Sequence, residues 1–190
     1  MSKNGRRISL LMEGYPRKGF QVYSSILKSG RQGVCISRLH PEYVEQKYDL
    51  PRARSFWLSS CKGKDVLSPK MLGSVSKAIV NSLSENSLVF LDGLEYVLLY
   101  NDMNKVLAFL KEVEVALAKC NAEMLVSIDP LTFEPRELDR IYAEFQRVTA
   151  EEISAVFSPQ PQQTVSSEPL SAGQTIWGPS PREGSIRSPS

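Results

Sequence analysis

The chain has 190 residues, 42% hydrophobic and 23% charged, with a net charge of +2. Those are ordinary globular proportions, which argue against a disordered or membrane-embedded protein, and the near-neutral balance leaves no electrostatic footprint for nucleic acid or anionic lipid. The length exceeds a typical domain of about 100–150 residues, and the surplus sits at the C-terminus, where residues 158–190 hold six of the twelve prolines and eight serines. Too little apolar surface is present there to offset the entropy of ordering the segment, so a folded domain over 1–157 and a disordered Ser/Pro-rich tail over 158–190 are expected.

The basic start is followed by an apolar run, Ile8 to Met12, that ends at Glu13. A secretory segment needs about 7–15 apolar residues and a membrane helix about 20, so neither is expected. Cys35, Cys61 and Cys120 are irregularly spaced, and His40 is the single histidine. That pattern gives no disulfide framework and all but excludes a His/Cys metal cluster. A reducing cytoplasm, no metal and no cofactor are the expectations, with Cys35 a small buried hydrophobe.

In chain order, Ile8–Met12 reads as a buried strand, and Phe20, Tyr23, Ile26 and Leu27 at helical spacing form a helix stopped by Gly30. Gly33 opens a second strand through Val34, Cys35 and Ile36, and His40-Pro41 opens a short helix carrying Tyr43, Val44 and Tyr48. Ser55–Ser59 is a third strand. Ser68-Pro69 reads as a cap and first position of a helix with Met71, Leu72, Val75, Ile79 and Leu83 on one face. Leu88–Leu91, four consecutive apolar residues closed by Asp92-Gly93, should be a central strand covered on both faces. Asn101-Asp102 caps a long helix with Val106, Leu110, Val113 and Leu117 on its stripe; Met124–Ile128 is a fifth strand, ending at Asp129-Pro130. Pro135 begins a helix, and Thr149 with Glu152 has the spacing of a capping box, so a final helical turn follows, with a short strand there the alternative.

Apolar strands alternating with helices predict an α/β fold: three layers, an open, mostly parallel sheet of about five strands, and helices on both faces. Ligands of such sheets lie beyond the C-terminal strand ends, where strand order reverses. The residues there are Glu13-Gly14, Arg38-Leu39-His40, Ser59-Ser60, Asp92 to Glu95 and Ser127 to Asp129.

An apolar run ending in Asp92 is how a phosphate-loop ATPase presents its magnesium-orienting carboxylate, but the partner motif fails. Gly14 and Gly19 have the right spacing, yet Phe20 and Gln21 stand where the phosphate-gripping lysine and the metal-holding hydroxyl belong, and Pro16 removes a cradling N–H. ATP hydrolysis on that plan is therefore not expected. Arg38, His40 and Glu42 cluster past a strand end. They admit two readings: an anion site with His40 as proton carrier, or a plainer one in which Arg38 pairs with Asp92 or Glu95 and His40-Pro41 starts a helix. Asp92 and Glu95 likewise form an acid/base pair or simply a turn. An Arg38–Asp92 pair at the sheet edge is expected to stay partly solvated, so that its loss costs at most about 1–2 kcal/mol.

Cys35 to Glu42, Phe56 to Ser59, Val89 to Asn101 leading into Val106 to Leu110, then Ile128-Asp129-Pro130 and Glu137-Leu138, occur in an order and spacing that resemble the archaeal family called domain of unknown function 835. The resemblance runs from about Ile8 to Phe145, and Asp92-Gly93-Leu94-Glu95-Tyr96 is its most specific block. It implies an α/β domain, found alone or joined to sensory and membrane modules, with no established activity and a degenerate RecA-type layout lacking a working phosphate loop. The characteristic polar positions it marks are Arg38, His40, Asp92, Glu95 and Asp129, without roles. The expected function is a non-catalytic signalling or regulatory domain binding a protein partner or small ligand at the C-terminal edge. The alternative is a degenerate protein that holds ATP or a cyclic nucleotide without the usual lysine.

Overall fold

Why each apolar run becomes a strand or a helix is visible in a computed structural model, which describes residues 6–157. The chain divides at Pro159 into two units, and the expected tail over 158–190 lies outside the described residues.

The strands are β1 (Ile8–Met12), β2 (Gly33–Ser37), β3 (Ala53–Leu58), β4 (Val66–Leu67), β5 (Leu88–Asp92), β6 (Glu123–Ile128) and β7 (Gln146–Val148). They form one sheet in the order β4-β3-β2-β5-β6-β1-β7, every pair parallel. The count of five is thus corrected to seven. The two missed strands sit at the sheet's edges and are two and three residues long, too short for any apolar alternation to register. β5 lies fourth of the seven and is buried at every position, as its unbroken apolar run predicts.

The helices are α1 (Arg17–Lys28), α2 (Pro41–Lys47), α3 (Leu72–Ser82), α4 (Leu94–Leu98), α5 (Met103–Lys119), α6 (Pro135–Glu144) and α7 (Ala150–Phe157). Side chains of α1, α2 and α7 pack on one face with Leu11, Cys35, Phe90 and Leu125. On the other, α3, α4, α5 and α6 cover Leu10, Ile36, Leu91 and Val126. Alternate residues of each strand thus feed opposite cores, as the pleat requires. Burial pushes the Cys35 thiol well above its ordinary pKa, in keeping with a packing role. Asp102 caps α5 by accepting the Lys105 N–H at 3.0 Å, and Thr149 and Glu152 form the reciprocal capping box of α7 at 2.7 and 3.1 Å. The α3 start differs from the sequence reading. Ser68 accepts the Met71 N–H in a turn, and the helix begins three positions later than the Ser68-Pro69 signal suggested. Among the described residues no helix is long and apolar enough to cross a membrane.

Two glycines set opposite packing tests. A Cβ on Gly19 in α1 would stand 2.9 Å from the buried Phe90 ring, whereas one on Gly73 in α3 meets nothing within 4 Å. Gly19→Ala should therefore cost about 1–2 kcal/mol, the overpacking penalty exceeding the helix-propensity gain, and Gly73→Ala should add about 0.5–1 kcal/mol. Urea midpoints of the two variants should move in opposite directions; movement in the same direction would show that the α1–β5 contact is looser than described.

Candidate binding site at the C-terminal edge

Connections leave β2 and β5 toward opposite faces, through α2 and α4, although the two strands are neighbours. The same reversal occurs between β1 and β6, through α1 and α6. Two switch-point crevices therefore open side by side at the C-terminal edge.

In the β2/β5 crevice, Asp92 ends β5 and accepts four hydrogen bonds. Its Oδ2 takes the Ser37 hydroxyl at 2.8 Å and the Arg38 backbone N–H at 3.2 Å; its Oδ1 takes Arg38 Nε at 3.2 Å and Nη2 at 2.9 Å. Both guanidinium nitrogens converge on one carboxylate oxygen, and the ionised partners make these contacts stronger than neutral hydrogen bonds. The expectation of a partly solvated pair holds for Arg38, 38% exposed, and needs correction for Asp92, whose side chain is 1% exposed. Gly93 explains the burial. Its φ of +114° turns the chain sharply, and a Cβ there would run into the Arg38 side chain and approach Leu58 at 3.1 Å, so only glycine lets Arg38 lie across the strand end. Burial opposes the Arg38 charge, but the Asp92 carboxylate, with lesser help from Glu95 and Asp129, outweighs it and raises the guanidinium pKa.

In the β1/β6 crevice, Glu13 does what the sequence did not assign to it. Pro16, at the cap position of α1, offers no side-chain acceptor, and Glu13 reaches forward instead. Its carboxylate accepts the Lys18 N–H at 3.0 Å and the Gly19 N–H at 3.1 Å, and the Ser127 hydroxyl at 2.8 Å from β6. Burial raises the Glu13 pKa; these hydrogen bonds work against the shift and the Asp92 charge adds to it.

Glu95, in the first turn of α4, bridges the crevices. One carboxylate oxygen accepts the Asp129 N–H at 2.6 Å, and the other is buried without a partner among the described residues. Burial raises its pKa, the Asp129 N–H and the Arg38 charge oppose the shift, and the nearby Asp92 charge reinforces it. Asp129 itself caps the turn Pro130–Thr132 by accepting the Leu131 N–H at 3.0 Å.

The structure thus gathers Arg38, Asp92, Glu95 and Asp129, and leaves His40 apart. His40 holds the N-cap position of α2 ahead of Pro41 without a side-chain cap bond, stands 4.0 Å from Glu42, and meets the Trp57 ring edge-on with centroids 4.7 Å apart. Trp57 in turn donates its indole N–H to the Arg38 carbonyl at 3.1 Å. Sequence reasoning placed Glu13 and Ser127 at this edge without a role and did not place Ser37 there. The readable signal for Glu13 was a helix with no Ser, Thr, Asp or Asn at its start and a carboxylate a few residues upstream. Among the described residues no three His, Cys, Asp or Glu side chains are grouped so as to hold a metal ion.

The family model described as "Protein of unknown function (DUF835)" matches residues 15–145, and the chain belongs to that family. No curated protein matches it. A chain in the structure of Drosophila ORC bound to AT-rich DNA and Cdc6 is similar at 16% identity and a TM-score of 0.36, over 80% of this chain and 53% of that one. This chain therefore spans about half the length of the structural relative.

Two outcomes follow from the site geometry. Asp92→Ala leaves the half-buried guanidinium and the Ser37 hydroxyl without their acceptor and should cost about 3–5 kcal/mol, while Arg38→Gln leaves Asp92 two donors and should cost about 1–3 kcal/mol. Denaturation curves giving a loss below about 1 kcal/mol for Asp92→Ala would mean that the strand end is solvated after all.

The second outcome concerns pH. Because the folded-state pKa of Glu95 is raised, the folded chain holds that proton more tightly than the unfolded one, and the associated stability is complete below about pH 4.5 and is lost as pH climbs through the raised value. Glu95→Gln keeps an oxygen for the Asp129 N–H and removes the titration. The variant's stability relative to wild type should be higher at pH 7 than at pH 4; an identical difference at both would contradict the burial of Glu95.

Proposed function

We propose that this DUF835 domain is a non-catalytic signalling or regulatory module that binds a protein partner or a small ligand at the C-terminal edge of its sheet. The observation that carries the reading is Glu13. Its carboxylate takes up the N–H groups at the start of α1 that a nucleotide phosphate would need, so the position of a phosphate loop is filled from within. The carboxylate that would orient a metal, Asp92, is likewise committed to Ser37 and Arg38.

Binding at this edge is supported by what it displays. Of the eight large hydrophobic side chains exposed among the described residues, Tyr15, Tyr43, Met71, Leu99, Tyr100 and Leu131 follow the C-terminal end of a strand within eight residues, and Val80 and Val115 lie on α3 and α5. Apolar side chains concentrated on one edge mark an interaction surface better than the same residues scattered singly. Arg38, the residue exposed among them, supplies a cation for an acidic group. The reducing cytoplasm is the proposed location, supported by free thiols at Cys35, Cys61 and Cys120. Residues 158–190 are proposed, from composition alone, as a disordered tail to this module.

Thermal-shift measurements with nucleotides at 1 mM, with and without Mg²⁺, separate this reading from that of a degenerate nucleotide binder. No shift is expected, whereas a ligand with Kd near 10 μM would add about 2.7 kcal/mol of stability. ATP turnover above that of an Asp92 variant would overturn the non-catalytic assignment. Tyr43→Ser with Leu131→Ser should leave the melting temperature within about 2 °C while abolishing co-purification of the partner that the wild-type chain retains from its own cells.

A further inference from the structure

A cluster of phenols around one ammonium lies outside the crevices, where the connection from β1 to α1 meets α2. Tyr43 and Lys47 stand one helical turn apart on α2 and so share a face, Tyr48 holds the C-cap position, and Tyr15 reaches them from the connection. The Lys47 Nζ stands over all three rings, 5.1 Å from the centroid of Tyr43 and 5.6 Å from those of Tyr15 and Tyr48. Tyr48 is fixed in turn by stacking on Phe20 of α1, with centroids 4.7 Å apart.

Hydrogen bonding within the cluster is incomplete. Lys47 Nζ donates to the Tyr43 hydroxyl at 2.7 Å, and the Tyr15 and Tyr43 hydroxyls are 3.5 Å apart. An ammonium and three phenols are rich in donors, yet among the described residues no carboxylate or carbonyl accepts from any of these four side chains. Tyr15, Tyr43 and Lys47 are exposed and can turn to water. Tyr48 is 7% exposed, and its hydroxyl is buried without a partner, near enough to act electrostatically on both Lys47 and Tyr15. We propose that this cluster binds an oxyanion, a carboxylate or phosphorylated side chain of the partner, through Lys47 and the hydroxyls of Tyr15, Tyr43 and Tyr48.

What the cluster lacks is acceptors, which neither a cation nor an alkyl group supplies. Charge points the same way. The hydrogen bond from Lys47 holds the Tyr43 phenol below its ordinary pKa, with a smaller contribution from the Arg17 charge, and neither cation is in an ion pair among the described residues. The acids nearest in sequence are placed elsewhere: Glu13 accepts N–H groups of α1, Asp49 pairs with Lys28 at 3.2 Å, and Glu42 and Glu45 line a concavity beside β3. A buried hydroxyl without an acceptor costs the free domain stability, and a charged acceptor reverses that cost. The proposal rests on the reading that this edge binds a partner; its test uses free anions, so that the two can fail separately.

The full chain, with tyrosine carrying carbon-13 at Cζ, is titrated with sodium phosphate or sodium acetate at ionic strength held constant by NaCl. The Tyr15, Tyr43 and Tyr48 signals, assigned by Tyr→Phe variants, should shift and saturate with a Kd of about 10 mM for at least one anion, too weak to register in a nucleotide screen at 1 mM. Phosphate bound about ten-fold more tightly than acetate would point to a phosphorylated side chain, and comparable affinities to a carboxylate. Lys47→Gln should weaken binding about ten-fold, while Lys28→Gln, which removes the same charge elsewhere, should bind as wild type. Tyr48→Phe should weaken binding about five-fold or more and leave the melting temperature unchanged or higher, since the lost hydroxyl has no partner in the free chain. A fall of more than about 2 °C would show that this hydroxyl is already satisfied and would overturn the proposal. Shifts that grow without saturating, or equal losses in the two lysine variants, would overturn it as well.

Discussion

A carboxylate buried at the end of a central strand has to be answered on every side, and the pairing of Asp92 with Arg38 and Ser37 is that answer. Desolvating an unpaired carboxylate would cost several kcal/mol, a sizeable share of the 5–15 kcal/mol that typically separates folded from unfolded chains. Both donors come from the end of β2, so the charge can be satisfied only when β2 lies beside β5 in the observed register. The demand reaches further through Gly93, which has to remain free of a Cβ for the Arg38 stem to cross it. A polar pair at the rim of the sheet thereby specifies strand adjacency that hydrophobic burial, indifferent to direction, leaves open.

Glu13 answers a different demand by similar chemistry. The start of a helix presents unsatisfied N–H groups and a partial positive charge, and a neighbouring anion is the usual remedy. Here the anion belongs to the chain itself and also ties β1 to β6 through Ser127. Glu13, Asp92 and Asp129 thus accept hydrogen bonds from the chain itself, and Arg38 is the cation set among them, 38% exposed. That distribution suits recognition, in which fixed groups meet a partner, better than catalysis, in which a group has to change its bonding during the reaction.

The sequence was legible where burial writes a continuous signal. The run Leu88–Leu91 announced a central strand, the stripe from Val106 to Leu117 a long helix, and Thr149 with Glu152 a capped helix start, because each rests on local periodicity or capping. β4 and β7 were not readable as sheet members, since two or three residues at an edge owe their conformation to the neighbouring strand. Within the site, the Arg38–Asp92 pair was foreseeable from strand ends alone, but its burial was not, because that depends on how Leu58 and the Arg38 stem close over Gly93. His40 looked like a member of the cluster by sequence proximity to Arg38, yet at the start of α2 its ring meets Trp57, whose indole N–H goes to the Arg38 carbonyl.

The position of β1 between β6 and β7 also has a bearing on how the chain is made. Of the domain's seven described strands the earliest made, β1, finds its hydrogen-bonding neighbours last: Ser127 follows Glu13 by 114 residues. At roughly 5–20 residues per second, synthesis leaves Ile8–Met12 without a sheet to join for roughly 6–20 seconds. Over that interval β2, β3 and β5 can assemble and offer a provisional edge, and sheets dominated by such long-range pairings close slowly even once complete. The nascent domain is therefore an incomplete sheet, and the arrival of β6 is the event that joins β1 to β5 and the strands beyond it.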